Sequence, residues 1–179
     1  RGLLSLRSLV QIQPGVPFQQ YTKAILICYN DQMTRLTLAI CSSASFYTQV
    51  IAASYEIERL GINVILPKTA AKMKAEGREN DEAITDWSTA PEGYHGKAKL
   101  IREHFSEIEK CDAILVMNYE KHGKKNYIGP NVLMEMSTAF YLNKPIYVLN
   151  GLPEDSPLID EVLGLEPVFL YGDISKLTK

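Results

Sequence analysis

Apolar residues along this chain come in two alternating formats. Leu36 to Cys41 (LTLAIC), Ile62 to Leu66 (INVIL), Ala113 to Met117 (AILVM) and Pro145 to Leu149 are short, nearly continuous apolar runs. Runs this short suit strands buried on both faces of a parallel sheet. Between them the spacing turns helical. Phe46 to Leu60 carries Val50, Ala53, Ile57 and Leu60 on one stripe, with Gly61 placed as a C-cap. Lys97 to Lys110 carries Leu100, Ile101, Phe105 and Ile108. Gly129-Pro130-Asn131 opens a helix to Leu142, and proline fits a first turn because its missing N–H is no loss there. Pro157 to Leu163 reads as a short helix and Glu166 to Leu170 as a last strand. This alternation predicts a three-layer α/β fold around a parallel sheet of about five strands.

Two stretches break the pattern. Pro67 to Gly96 is polar, rich in Lys, Glu, Asp, Gly and Pro, and holds the single tryptophan, Trp87. It reads as a helix fragment plus a long loop, of the sort that forms lids and binding loops. Trp87 and Tyr94 fit a base-stacking role and a loop-pinning role equally. Residues 1–32 lack any periodicity that continues, lack an acidic residue before Asp31, and lack the regions of a signal peptide. Val10-Gln11-Ile12 back-translates to GTTCAAATC, the T-loop of a transfer-RNA gene, and Pro17 to a terminal CCA. The expectation is a non-native or disordered extension read through from such a gene, with a single α/β domain spanning 33–179 and starting at Met33. The rival is an ordinary extension with Ala24 to Tyr29 as an edge strand. A tryptic peptide from before Met33 in the native protein decides for the rival.

Composition narrows the class. The chain has 179 residues, 46% hydrophobic and 22% charged, with a formal net charge of -2. That is enough for one packed domain, and neither sign of charge points to nucleic acid or a membrane surface. No apolar run approaches the length of a membrane span. Cys41 and Cys111 fall in predicted strands as small hydrophobes. With Cys28 they form no CxxC, and His95, His104 and His122 are dispersed, so neither a metal nor a His-based metal site is expected. A reduced, cytoplasmic setting is the expectation.

In a doubly wound sheet the loops after the first and third strands meet at the switch point, where ligands bind. These loops are Ser42 to Phe46 and Asn118 to Asn131. Ser42, Ser43 and Ser45 precede a helix start, and such a loop fits either an anion site or an ordinary N-cap and turn. Glu135, the one charge of its helix, lies just beyond the second loop. A helix-start position favours its ionised form by a few tenths to about 1 kcal/mol, which suits a nucleophile. The alternative is a solvent-facing Glu, on a wet face shared with Asn131, Thr138 and Leu142. His104 lies near the edge of its helix stripe and fits either an acid toward a leaving group or a surface position.

EIEKCDAILVMN followed by NYIGPNVLMEMSTAFYLNKPIYVLN resembles the nucleoside 2-deoxyribosyltransferase superfamily, which includes the deoxynucleoside-monophosphate N-glycosidases. The likeness spans about Leu36 to Leu170, is strongest from Ile108 to Leu149, and is closest to a bacterial branch sharing NYIG-x-N-x-x-x-E. It implies a flavodoxin-like, Rossmann-like fold, no cofactor, a homo-oligomer, and cleavage or transfer at an N-glycosidic bond of a (deoxy)nucleoside or its monophosphate. Glu135, in its Glu-x-x-x-Ala context, matches the family nucleophile. A carboxylate there traps the oxocarbenium-like sugar as retaining glycosidases do. His104 stands where the family carries Asp, and Gly129 where it carries Asp or Ser, so substrate identity stays open. Asn118, Asn126 and Asn131 are candidates for polar contacts and Tyr119 and Tyr127 for stacking on a base. Ser42, Ser43, Ser45 and Phe46 occupy the loop that meets sugar or phosphate. Two other readings stand beside this one. A phosphoribohydrolase of nucleoside monophosphates also uses a glycine-start helix and a Glu, but its PGGxGT loop is absent. A nucleotide-binding module without turnover, or a structural subunit, needs no chemistry at all.

Overall fold

The computed structural model describes residues 35–79, 81, 92–153 and 156–178. Residues 1–34 lie outside them, and with them the expected extension, its Met33 boundary and the Ala24 to Tyr29 alternative. Trp87 lies outside them too.

Five parallel strands form one sheet in the order β2-β1-β3-β4-β5: β1 (Thr37–Ser42), β2 (Asn63–Ile65), β3 (Ala113–Met117), β4 (Ile146–Val148) and β5 (Val168–Phe169). This is the flavodoxin-like order expected, with its switch point between β1 and β3. All of β3 is buried, because it is the middle strand and both its faces are covered. Ser42 pairs with Met117, so the two strands end level and their loops leave side by side.

The helices divide between the two faces. α1 (Tyr47–Arg59) buries Val50, Ile51, Ser54 and Ile57, and α2 (Lys68–Ala75) buries Ala70 and Met73. Both lie over Leu38, Ile40, Leu115 and Met117. α3 (Gly93–Lys110), α4 (Pro130–Tyr141) and α5 (Ile159–Gly164) cover the other face, where Ile108, Val132, Met136, Ala139 and Val162 meet Ala39, Cys41, Ile114 and Val116. A short 3-10 turn at Ala44–Phe46 begins α1, and another at Ile174–Thr178 follows β5.

Differences from the sequence reading are local. The helix fragment within Pro67 to Gly96 is α2. α3 begins at Gly93, four residues before Lys97, so Tyr94 belongs to a helical first turn and is 69% exposed. Cys111 ends α3 rather than lying in a strand. The last strand keeps only Val168 and Phe169, since Glu166 takes a left-handed φ of 52°. Among the described residues no helix is long and apolar enough to cross a membrane.

Candidate functional site

Three elements converge where β1 and β3 end. β1 carries Cys41 on the face covered by α3 and α4. α3 runs back over that face and brings His104, only 7% exposed, above the sheet. The second turn of α4 brings Glu135, whose side chain is 15% exposed. Nε2 of His104 lies 3.7 Å from Oε2 of Glu135 and 3.7 Å from Sγ of Cys41. Nδ1 of His104 hydrogen-bonds to Oε2 of Glu107, one turn further along α3, at 2.8 Å. His104 and Glu135 are thus brought together, and His104 is a buried residue, not a surface one. The wet-face alternative for α4 fails at Glu135, although Asn131 is exposed.

Burial governs the electrostatics. It pushes the Glu135 carboxyl up to about 7, against the opposing pull of His104 and the Cys41 thiol. This corrects the expectation of a freely ionised helix-start carboxylate: loss of water outweighs the helix dipole. Burial pulls the His104 imidazolium down, but the Glu107 hydrogen bond and the charges of Glu135 and Glu107 outweigh it, and the net shift is upward. The Cys41 thiol is held well up by burial and by Glu135. Burial, with Glu135 and Glu107 behind it, also raises the Tyr47 phenol.

The loops hold most of the other expected residues. Asn118 is fully buried and its amide is used inside the protein. Its Nδ2 donates to the carbonyls of Gly151 (2.9 Å) and Asn126 (3.3 Å), and its Oδ1 accepts from the N–H of Asn150 at 2.9 Å. It ties the ends of β3 and β4 to the β3–α4 loop, in place of the substrate contact expected of it. Asn126 has a φ of 55° and donates from Nδ2 to the Leu152 carbonyl at 3.0 Å. Phe46 is buried and meets Tyr119 edge-on, with ring centroids 5.5 Å apart and planes at 75°. Tyr119 therefore has a protein ring as its neighbour. Ser42 and Ser43 are half-buried and Ser45 is exposed. No serine side chain caps the helix that follows.

Gly129 is buried, and its φ of -93° is open to any residue. Its constraint is steric: a Cβ there would lie 2.9 Å from the Tyr127 hydroxyl and 3.0 Å from the ring. A side chain at Gly129 would have to displace the Tyr127 ring.

Sequence reasoning missed Cys41, Glu107, Tyr47 and Lys121. Lys121 spans the two switch-point loops: Nζ donates to Ser43 Oγ at 2.9 Å and lies 5.3 Å from the centre of the Tyr127 ring. The turn behind it, Lys121 to Lys124, is closed by two backbone bonds of 3.0 Å with left-handed His122 and Gly123. The KHGKK run was the available signal for Lys121. Glu107, three residues after His104, was the signal for a partnered imidazole.

Two clefts border these loops. One, of about 250 Å³, is lined by residues that include Lys124, Tyr127, Pro130, Pro153 and Leu158. The other, of about 560 Å³, is lined by Asn126, Asn150, Gly151, Leu152 and Tyr171. Neither is lined by Glu135 or His104. No protein-family model matches the chain, and no curated protein matches it.

Proposed function

We propose that the protein cleaves or transfers at the N-glycosidic bond of a (deoxy)nucleoside or its monophosphate, with Glu135 as nucleophile. One observation carries this reading. Glu135 and His104, singled out on separate helices, meet at 3.7 Å over the C-terminal end of β1, next to the switch point.

The chemistry follows from that pair. A Glu135 oxygen bonds to C1′ of the sugar as the C1′–N bond breaks and its electrons leave on the base nitrogen. A carboxylate stripped of water is a poor resting anion and a ready nucleophile. His104, charged against Glu107 and Glu135, steadies that anion and is the proton source for the departing base. Water then attacks C1′ and releases Glu135, or a second base does so and the reaction becomes transfer. Lys121, beside Ser43, supports an anionic substrate such as a monophosphate. Small molecules are the proposed partners, with no nucleic acid and no membrane. The setting is the cytoplasm, in keeping with free, buried Cys41 and Cys111. A homo-oligomer belongs to the same proposal, and exposed Phe140 (47%) and Tyr141 (83%) at the end of α4 favour it.

A second reading, nucleotide binding without turnover, draws on the clefts, since Asn126 and Tyr127 line them and Glu135 does not. The phosphoribohydrolase reading has no comparable support. One experiment separates turnover from binding. Wild type and Glu135→Gln are incubated with ribo- and deoxyribonucleosides and their monophosphates, with and without an acceptor base, and free base is followed by chromatography. Base released by wild type alone supports cleavage, and exchange supports transfer. No release from any substrate by folded protein overturns the enzymatic reading in favour of the binding module.

A further inference from the structure

Cys41, His104 and Glu135 reach one point from β1, α3 and α4, and their ligating atoms all lie within 4.8 Å of one another. Sγ of Cys41 and Oε2 of Glu135 are each 3.7 Å from Nε2 of His104. Ligand atoms sharing a tetrahedral zinc ion stand roughly 3.3–3.6 Å apart, given bonds of about 2.3 Å to sulfur and about 2.0–2.1 Å to nitrogen and oxygen. The two distances from Nε2 are close to those a shared ion would hold, and the Cys41–Glu135 spacing, within 4.8 Å, has to close on binding.

Two further observations point to a cation. Oε2 of Glu135 is closed off from solvent and accepts no hydrogen bond. A buried carboxylate oxygen in that condition is costly unless something positive meets it. Among the described residues the one cationic group paired with Glu135 is His104, and 3.7 Å is too long for a hydrogen bond. The second observation is Glu107. Its carboxylate accepts from Nδ1 of His104 at 2.8 Å, so that once the ring is neutral the Nε2 lone pair faces Cys41 and Glu135. Metal-bound histidines are held in this way.

We propose that Cys41 Sγ, His104 Nε2 and Glu135 Oε2 bind a divalent ion of the zinc type, with water in the fourth position and Glu107 holding the imidazole. One sulfur, one nitrogen and one oxygen donor suit a borderline ion and disfavour magnesium or calcium. Binding releases the Cys41 thiol proton, the His104 Nε2 proton when the ring is charged, and the Glu135 proton when present. The ion, thiolate and carboxylate then sum to zero charge, which suits a buried place. Nothing is oxidised or reduced. The site stands without the glycosidic reading; its consequences there are that the ion and the sugar compete for the same Glu135 oxygen and that an ion on Nε2 displaces the proton His104 would give the base.

The test uses the full chain, stripped with a chelator and titrated with Co²⁺ alone, then with Zn²⁺. The expected result is one Co²⁺ per chain, with tetrahedral visible bands and a thiolate-to-cobalt charge-transfer band, all displaced by Zn²⁺. Cys41→Ser abolishes the charge-transfer band, whereas Cys28→Ser and Cys111→Ser keep it. Glu107→Gln weakens Co²⁺ binding about 10–100-fold. Folded wild-type protein without these bands overturns the site, as does a band lost in Cys28→Ser or Cys111→Ser. Should Cys41→Ser fail to fold, those two controls and Glu107→Gln decide. Failure here leaves base release by stripped protein untouched. A cobalt spectrum without base release from any substrate overturns the glycosidic reading alone.

Discussion

Nε2 of His104 faces Oε2 of Glu135 across 3.7 Å, inside the protein and off both clefts. Both groups are poised to titrate above their ordinary range: burial lifts the carboxyl to about 7, while Glu107 and the Glu135 charge lift the imidazole against burial.

That poise gives stability a pH dependence of known sign. Glu135 is lifted from an ordinary 4.5, so its burial costs nothing while it is neutral in both states, below about pH 4.5. The cost grows as pH rises to about 7 and is then constant, at roughly 3 kcal/mol by linkage. His104, also raised, contributes stability below its ordinary 6.5 that is lost as pH rises through its folded value. Cys41 on β1, Tyr47 on α1 and Glu107 on α3 are the other titratable groups that act on the pair; all three penalise a charged Glu135 or are penalised by it, except that the neutral Cys41 thiol favours it. Glu135→Gln is therefore expected to raise Tm at pH 8.5 and to gain little or lose at pH 5. Thermal unfolding at both values checks this; a mutational Tm shift equal at the two would refute it.

Glu107 acts through His104. Glu107→Gln replaces a charged acceptor at 2.8 Å with a neutral one, which weakens the hydrogen bond and removes one of the charges that together outweigh burial of the ring. The His104 pKa is expected to fall, and below neutrality the variant loses roughly 1–2 kcal/mol of stability. Imidazole chemical shifts followed against pH read the first directly. An unmoved titration would mean that Glu107 does not hold this ring.

Asn118 was expected at the ligand and is found holding the loops. Asn118→Ala strips two donors and one acceptor from a fully buried place, leaving the Gly151 carbonyl and the Asn150 N–H without their partner. The expected loss is roughly 3 kcal/mol by urea denaturation. Asn118→Asp is expected to be at least as harmful, because a carboxylate would face two carbonyls. A loss under about 0.5 kcal/mol for either would leave Asn118 free for a substrate role.

The sheet was legible and the site only partly so, for a physical reason. Strands such as AILVM and stripes such as Val132, Met136 and Ala139 are local patterns set by burial, and they read directly. Boundaries were less legible: nothing in Tyr94 to Gly96 announces a helix, yet α3 begins at Gly93. Glu135 was legible through its place after a buried strand. Cys41 was not, since its chemistry depends on residues distant in sequence that only the packing of α3 and α4 on β1 collects. The protonation of Glu135 was misjudged for the same reason. The helix dipole is written in the local sequence, while burial is not.

Gly129 tests the packing of the switch-point loop. Its conformation is ordinary, so no strain demands glycine. What demands it is Tyr127, whose hydroxyl would stand 2.9 Å from a new Cβ, closer than real Cβ contacts come, and whose ring would stand at a tight 3.0 Å. Gly129→Ala must push the ring aside, at an expected cost of roughly 1–3 kcal/mol. The Tyr127 ring borders one cleft and lies near Lys121. Its displacement is therefore expected to disturb the Lys121–Ser43 bridge as well as the fold. A double-mutant cycle separates this from general damage. Tyr127→Ala alone loses packing, but once the ring is gone Gly129→Ala has nothing to strike, and the pair should cost clearly less than the sum of the single variants. Strict additivity in denaturant unfolding would show that the ring is not what keeps this position bare.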